Sequence, residues 1–199
     1  TVGDTKLMAE VIKVNGKNAA VQVFESTRGL KNGDTVEFED RMLEATLGPG
    51  LLSNSYDGLQ NDLTTMTGVF LKRGEYTDPL NHEKIWDFTP IAKPGDKVVA
   101  ADWLGEVKEG WLPHKIMVPF AFKGEYTVKS VVPAGQYNID KVVAVLTNAE
   151  GEDVNVTMYQ KWPVKVAIKG YKDKPRPSKI METGVRAIDP LNPIAEGGT

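Results

Sequence analysis

Apolar and polar residues alternate in short runs through the first part of this chain. Four such runs occur, at 8–14, 19–25, 30–38 and 43–47. A period of two is the pattern of a β-strand with one buried face, and the Asn15-Gly16 pair between the first two runs tolerates the positive φ of a tight hairpin turn. We therefore predict a small β-barrel, or part of one, over residues 1–50.

The pattern changes between residues 51 and 87. Leu59, Leu63 and Met66 are spaced as on one face of a helix, and Asp57 precedes them as a candidate N-cap. This spacing predicts one short helix over 57–66. Because the rest of the stretch shows no regular period, we interpret residues 51–87 as a connector that contains this helix.

A two-fold internal similarity marks the middle of the chain. Residues 93–107 follow the order turn, strand, turn, strand, and residues 132–146 repeat it. Two such halves can bury their apolar faces against each other, as in a β-sandwich. We predict a barrel-sandwich domain over residues 88–162, with further strands at 154–158 and 164–168.

Prolines among charged residues follow this domain. The stretch 172–179 contains Pro175 and Pro177, and proline fixes φ and removes a backbone donor. We interpret residues 163–199 as a stiff linker that leads toward a further domain. We also expect both ends of the chain to lie inside a longer protein.

Composition narrows the classes of function. Hydrophobic residues make up 41% of the 199 residues, enough to bury a core. The formal net charge of −3 disfavours a nucleic-acid or anionic-membrane surface, since either needs a cationic field. Cysteine is absent, which excludes disulfides and thiolate metal sites, and no apolar run approaches the roughly twenty residues of a membrane span. We expect a mainly β, cytoplasmic protein without direct membrane insertion.

Candidate catalytic chemistry is sparse. His82 and His114 have no second metal ligand at i+2 to i+4, and no nucleophile signature accompanies them, so we interpret both as ordinary hydrogen-bonding residues. The acidic run of Glu150, Glu152 and Asp153 is typical of a solvated hairpin. We therefore assign no catalytic, cofactor-binding or metal-binding residue to this chain.

Six motifs occur in an order that resembles one protein family. They are LGPGLL at 47–52, YDGLQ at 56–60, WDFTP at 86–90, IMVP at 116–119, QKWPV at 160–164, and TGVRAID at 183–189 followed by GGT at 197–199. Together they resemble the catalytic A subunit of V-type and archaeal-type rotary ATPases, over nearly the whole chain. The sequence departs from the usual family pattern at 61–62, 120–122 and 189–192.

The resemblance implies an architecture and an activity. It implies an incomplete N-terminal barrel, a bulge insertion over about residues 68–160, and an approach to an α/β nucleotide-binding domain. It also implies that the parent protein uses ATP and Mg²⁺ and couples ATP hydrolysis or synthesis to proton or sodium transport. Its partners would be B subunits and other A subunits in a hexameric head, together with stalk subunits, peripheral to the membrane.

The phosphate-binding loop of such an enzyme has the spacing Gly-x-x-x-x-Gly-Lys-Ser/Thr, which does not occur in this sequence. We therefore expect this chain by itself to bind no ATP, to be catalytically inactive and to be monomeric. Arg186, within the sixth motif, is placed to reach a nucleotide or a neighbouring subunit. We expect it to pair with a carboxylate instead.

The tryptophans admit two interpretations. Trp103, Trp111 and Trp162 lie in or near predicted strand ends, and core packing is the default for large aromatic side chains. The other interpretation is that Trp111 and the 120–122 turn form an exposed anchor for a stalk or neighbouring subunit.

Two other classes of function stay open. The two-fold unit also resembles biotinyl and lipoyl carrier domains, whose modified lysine lies on a hairpin between the halves. That position falls near Trp111, and residues 109–113 lack a carrier signature around a lysine. A stand-alone β binding module is the other alternative, because one fold can serve many functions.

Overall fold

A computed structural model of the chain describes residues 1–66, 68, 70–169 and 176–197. The described residues form β-strands joined by turns, without an α-helix. The strands are β1 (Ala9–Asn15), β2 (Asn18–Val23), β3 (Glu44–Leu47), β4 (Ile85–Pro90), β5 (Lys97–Val98), β6 (Trp103–Glu109), β7 (Leu112–Met117), β8 (Tyr126–Val131), β9 (Gly135–Asn138), β10 (Ala144–Thr147), β11 (Asp153–Val156), β12 (Gln160–Pro163), β13 (Ile180–Met181) and β14 (Ile194–Ala195). The mainly β fold class is confirmed.

Two four-stranded antiparallel sheets form the middle of the chain. One sheet has the strand order β7-β6-β4-β9, and the other has the order β11-β10-β8-β5. The predicted two-fold relation is visible in how the halves are distributed. Each half contributes one strand to each sheet, β5 and β6 from the first half and β10 and β9 from the second. This exchange interlocks the halves, so neither sheet is complete without both.

The core of this domain has two clusters of buried side chains. The first includes Trp86 and Phe88 of β4 with Val107 of β6. The second includes Leu104 of β6 with Val128 of β8 and Leu146 of β10, and therefore joins the two sheets. Burial of such side chains contributes roughly 1.5–3 kcal/mol each before the entropy of ordering is subtracted.

A β-bulge in β6 allows this strand to contribute buried side chains to both core clusters. The register between β6 and β7 shifts between Trp103 and Gly105. Leu104 and Gly105, although adjacent in sequence, are therefore both buried. An extra residue in one strand of a pair locally redirects side chains, and here it sends Leu104 into the second cluster while Val107 stays in the first.

The N-terminal strands pair in an unexpected way. β1 and β2 form the predicted hairpin, whose two-residue turn contains Gly16 at a φ of 59°. β3, in contrast, pairs with β12, so its partner follows the sandwich in sequence. The predicted strands at 30–38 and 164–168 are wrong, since neither segment contains an assigned strand. An alternating pattern alone does not create a strand, because a strand also needs a partner backbone along its length.

The predicted helix over 57–66 is also wrong. Asp57 acts as a cap, but its carboxylate accepts hydrogen bonds from the backbone N–H groups of Leu59 and Asn61 at 2.9 and 2.8 Å, which closes a tight turn. Gln60 has a φ of 65°, which a helix does not permit. The segment is instead tied to Thr77, whose backbone N–H donates to Asn61 Oδ1 at 2.9 Å and whose hydroxyl accepts from the Asp62 N–H at 2.7 Å.

The chain divides into two compact units, Thr1–Ile168 and Lys169–Thr199. In the second unit β13 and β14 pair, with Ile180 opposite Ala195 and Met181 opposite Ile194. Residues 170–175 of the predicted linker, and Gly198 and Thr199 of the last motif, lie outside the described residues. The predicted boundaries after residues 50, 87 and 162 stay predictions.

Candidate interaction site

The tip of the β6–β7 hairpin presents a large aromatic side chain to solvent. The last strand pair is Glu109 with Leu112, so the turn consists of Gly110 and Trp111 alone. Gly110 has a φ of 59°, which glycine adopts without the steric cost that a Cβ would add. Trp111 is 88% exposed. An exposed tryptophan on a short, well-paired hairpin is a candidate anchor for a partner protein.

A buried carboxylate holds the base of this hairpin in place. Glu109 is only 7% exposed, and its Oε1 accepts hydrogen bonds from the backbone N–H groups of Gly50 and Leu52 at 2.6 and 3.1 Å. Its Oε2 lies 2.7 Å from His114 Nδ1. Both oxygens are therefore satisfied, as burial of a carboxylate requires. The contact joins β6, β7 and the LGPGLL motif at one point.

Sequence reasoning missed Glu109, although a signal was available. In β6 the buried positions Val107 and Glu109 alternate with the more exposed Glu106 and Lys108. A charged residue at an inward position of an alternating strand must find partners inside the protein. The inward register of β6 could therefore have marked Glu109 as a structural residue.

The other candidate aromatic side chains behave differently from Trp111. Phe120 packs edge-on against Trp162, with ring centroids 5.6 Å apart, and Phe122 packs against Tyr126 at 5.0 Å. The 120–122 turn therefore does not supply exposed aromatic anchors. Trp103 is 54% exposed and lies beneath the Lys115 ammonium, 4.8 Å from its centroid. Core packing is thus the wrong interpretation for Trp103 and Trp111, and the buried tryptophan is Trp86.

Both histidines contact carboxylates, as their interpretation as hydrogen-bonding residues requires. His114 contacts Glu109, and His82 lies between two aspartates. Nδ1 of His82 is 2.9 Å from both carboxylate oxygens of Asp140, and Nε2 is 3.1 Å from Oδ2 of Asp78. Within the described part of the chain, no group of three His, Asp or Glu side chains is arranged to hold a metal ion.

The acidic run after β10 forms the predicted hairpin turn. Asn148 Oδ1 accepts the Glu152 N–H at 2.8 Å, and Asp153 accepts the Thr147 hydroxyl at 2.8 Å. Asp153 also pairs with Lys129, and the hydrogen bond from that ammonium is the main reason why the pKa of Asp153 is lowered. These contacts stabilise an exposed turn and bring no second carboxylate into a catalytic pair.

In the second unit, Asp189 closes the turn that contains the TGVRAID motif. Its carboxylate accepts from the Thr183 hydroxyl at 2.6 Å and from the backbone N–H groups of Thr183 and Gly184 at 3.1 and 3.0 Å. These hydrogen bonds, led by the Thr183 side chain, lower the pKa of Asp189. Arg186 is exposed and makes no ion pair among the described residues, so the expectation that it pairs with a carboxylate is wrong there.

An open cleft lies between the end of β2 and the segment after residue 57. Phe24, Leu59 and Leu71 are among its lining residues. Burial opposes ionisation of Asp57 in its wall, but hydrogen bonds from the side chain and backbone of Asn61 and from the Leu59 N–H outweigh it and lower the pKa. Because these donors already occupy the Asp57 carboxylate, this side chain is not available to bind a ligand in the cleft.

Among the described residues there is no helix that could cross a membrane.

Two models of protein domains match parts of this chain. The model of the ATP synthase alpha/beta family β-barrel domain matches residues 1–40. The model of the ATPsynthase alpha/beta subunit barrel-sandwich domain matches residues 77–165. The second match begins just before Asp78 and ends just after β12, and so contains the hairpin that carries Trp111.

Several relatives are similar to this chain over its whole length. The V-type ATP synthase alpha chain of Treponema denticola is 46% identical over all of this chain and 34% of its own length. The V-type ATP synthase alpha chain of Borrelia turicatae is 47% identical over 99% of this chain, and that of Chlamydia caviae is 47% identical over 100%. The chain spans about a third of the length of these relatives. It belongs to the family of V-type ATP synthase alpha chains.

Proposed function

We propose that this chain is part of the catalytic subunit of a V-type ATP synthase or ATPase. In that assembly, three catalytic subunits would alternate with B subunits in a hexameric head and couple ATP synthesis or hydrolysis to proton or sodium transport. The names of the relatives and the two matching domain models support this proposal. The complex would lie on the cytoplasmic side of the membrane, attached to a separate membrane sector.

ATP and Mg²⁺ would be bound outside these 199 residues. Phosphate binding of this kind uses a glycine-rich loop with a lysine and a hydroxyl, and the sequence lacks that spacing. The role of this chain is therefore structural.

The first test is nucleotide binding. Adding 1 mM MgATP to the isolated chain is expected to leave its melting temperature unchanged, because a ligand that does not bind the native state cannot stabilise it. A P-loop ATPase treated in parallel serves as the positive control. An upward shift that saturates with MgATP concentration would contradict the structural role.

We propose that the barrel-sandwich domain is a rigid platform that contacts a peripheral stalk subunit and resists torque during rotation. The exposed Trp111 carries this proposal. It lies on a two-residue turn whose base is fixed by Glu109, so little conformational entropy is lost when it is buried by a partner. Large aromatic side chains of this kind supply much of the binding energy of protein interfaces.

The second test is a pull-down of the chain with isolated stalk subunits at low and moderate salt. Trp111→Ala is expected to weaken binding at least about tenfold, which corresponds to about 1.4 kcal/mol, and to leave the melting temperature nearly unchanged. Trp103→Ala is the matched control, because Trp103 is also exposed but lies against Lys115. Absence of any association, or equal binding by the two variants, would count against the platform.

A biotinyl or lipoyl carrier domain stays the less favoured alternative, because the tip of its hairpin holds a tryptophan in place of a lysine. The hairpin that a carrier domain would use for its modified lysine is the one whose tip holds Trp111. Lys108 and Lys115 flank that hairpin within the strands, and Lys115 is paired with Glu106. Intact mass spectrometry decides the matter, since a carrier would gain the mass of one biotinyl or lipoyl group.

A further inference from the structure

The arrangement around His82 favours its doubly protonated form. Nδ1 faces both oxygens of Asp140, and Nε2 faces Asp78. Ionised carboxylates only accept hydrogen bonds, and a neutral imidazole has one donor nitrogen. The side chains of Asp78 and Asp140 are 59% and 46% exposed. Both nitrogens of His82 can donate only in the imidazolium, so this geometry favours the doubly protonated form.

The contacts of His82 join separate parts of the chain. Asp78 and His82 precede β4, where the chain enters the sandwich, and Asp140 lies in the connection between β9 and β10. The ring of Tyr159, just before β12, packs edge-on against His82 with centroids 5.6 Å apart. A Cβ added to Gly48 would lie 2.7 Å from the Cβ of Tyr159, so the segment after β3 packs tightly on the same group.

The titratable groups around the imidazole are few. Asp78 and Asp140 carry negative charge toward it, and Tyr159 supplies a phenol whose own pKa is raised by burial and by these carboxylates. Lys84, two residues after His82, lies 4.1 Å over the Trp86 ring. The hydrogen bond to Asp140 is the main cause of a raised pKa of His82, and Asp78 adds to it against the effect of burial.

We propose that His82 is a pH-sensitive lock that, when doubly protonated, fastens the entrance of the barrel-sandwich domain to the β9–β10 connection. Loss of its proton removes one of the two hydrogen bonds and leaves a lone pair facing a carboxylate. When Nδ1 is the nitrogen that loses its proton, the hydrogen bond to Asp140 is lost and the segment before β4 is released from the β9–β10 connection. This inference does not depend on the proposed role of Trp111 or on ATP synthesis.

The direction of the pH effect follows from linkage. A histidine whose folded pKa is higher than its unfolded pKa binds its proton more tightly in the folded state. Its contribution to stability is therefore complete below the unfolded value of about 6.5 and disappears as the pH rises through the folded pKa. The lock is closed at the lower end of the physiological range and opens toward alkaline pH.

The first experiment is a ¹H–¹⁵N titration of the imidazole groups in the 199-residue chain. The sequence has two histidines, and H82Q identifies the signals of His82 by their disappearance. Both ring nitrogens of His82 are expected to show imidazolium shifts at pH 6.5, with a midpoint above about 6.5. D140N is expected to lower the midpoint most and D78N to lower it less, whereas D4N, which removes the same charge elsewhere, leaves it in place.

The second experiment measures hydrogen exchange of the backbone amides at 80–84, corrected for the intrinsic pH dependence of exchange. Protection is expected to fall severalfold as the pH passes through the His82 midpoint, and in H82Q it should not follow that midpoint. A neutral tautomer of His82 at pH 6.5 in the wild-type chain would overturn the proposal. The proposal would also be overturned if protection of these amides in the wild-type chain did not change as the pH passed through the His82 midpoint.

Discussion

Glu109→Ala is expected to lower the free energy of unfolding by about 3 kcal/mol. The variant removes both carboxylate oxygens, and the backbone N–H groups of Gly50 and Leu52 and the His114 ring lose their partner together. A buried donor left without an acceptor costs roughly 1–3 kcal/mol. The change is measured as the shift of the urea midpoint at constant slope, followed by tryptophan fluorescence.

Two variants define the origin of this effect. Glu109→Gln keeps one acceptor oxygen for the two backbone N–H groups. It is expected to lose less stability than Glu109→Ala, because only the carboxylate contact with His114 is replaced by an amide group. Glu150→Ala removes a carboxylate from the exposed turn between β10 and β11 and should stay within about 0.5 kcal/mol of the wild type. A Glu109→Ala midpoint equal to that of Glu150→Ala would show that the buried carboxylate does not hold the hairpin.

Gly105→Ala is expected to destabilise the sandwich by about 2–3 kcal/mol. A Cβ at this position would lie 2.3 Å from two ring atoms of Phe88 and 2.9 Å from the backbone oxygen of Thr89. Phe88 is 1% exposed at the centre of the first core cluster, so its ring cannot turn away without displacing other buried side chains. Calorimetry should show a melting temperature lower by several degrees.

The control for this variant is Gly58→Ala. Gly58 has an ordinary φ, and a Cβ there would contact nothing within 4 Å, so the variant should keep the wild-type stability or gain slightly from a less flexible unfolded chain. Adding Phe88→Leu to Gly105→Ala is expected to recover part of the loss, because the shorter side chain leaves room for the new methyl group. Equal stability of the two alanine variants would contradict the close packing of Gly105 on Phe88.

Local patterns predicted the elements whose partners are near in sequence. The β1–β2 hairpin needs only alternation and the turn at Gly16, and both are local. The two-fold unit was likewise visible as a repeated order of turns and strands. The prediction of a helix over 57–66 was wrong. The apolar residues have helical spacing, but the backbone does not make the hydrogen bonds of a helix. Thr77, fifteen residues or more away, binds Asn61 and Asp62 instead.

The candidate site shows the same division. Sequence placed Trp111 near a hairpin but could not separate an exposed anchor from a core residue, because exposure depends on what packs around the tip. It grouped Trp111 with the 120–122 turn, whose phenylalanines pack on Trp162 and Tyr126. The partners of Glu109 at Gly50 and Leu52 are more than fifty residues away, and no spacing rule reaches that far.

By itself the sequence determined the family, the mainly β class and the absence of a phosphate-binding loop within these residues, because each depends on residue order alone. The tertiary structure decided which strands share a sheet, which aromatic side chains face solvent, and which charges are held by partners. β3 pairs with β12 across the entire sandwich, and His82 meets Asp140 from 58 positions away. Such contacts form because a buried or ionised group must find a partner in space, and distance along the chain does not limit where that partner lies.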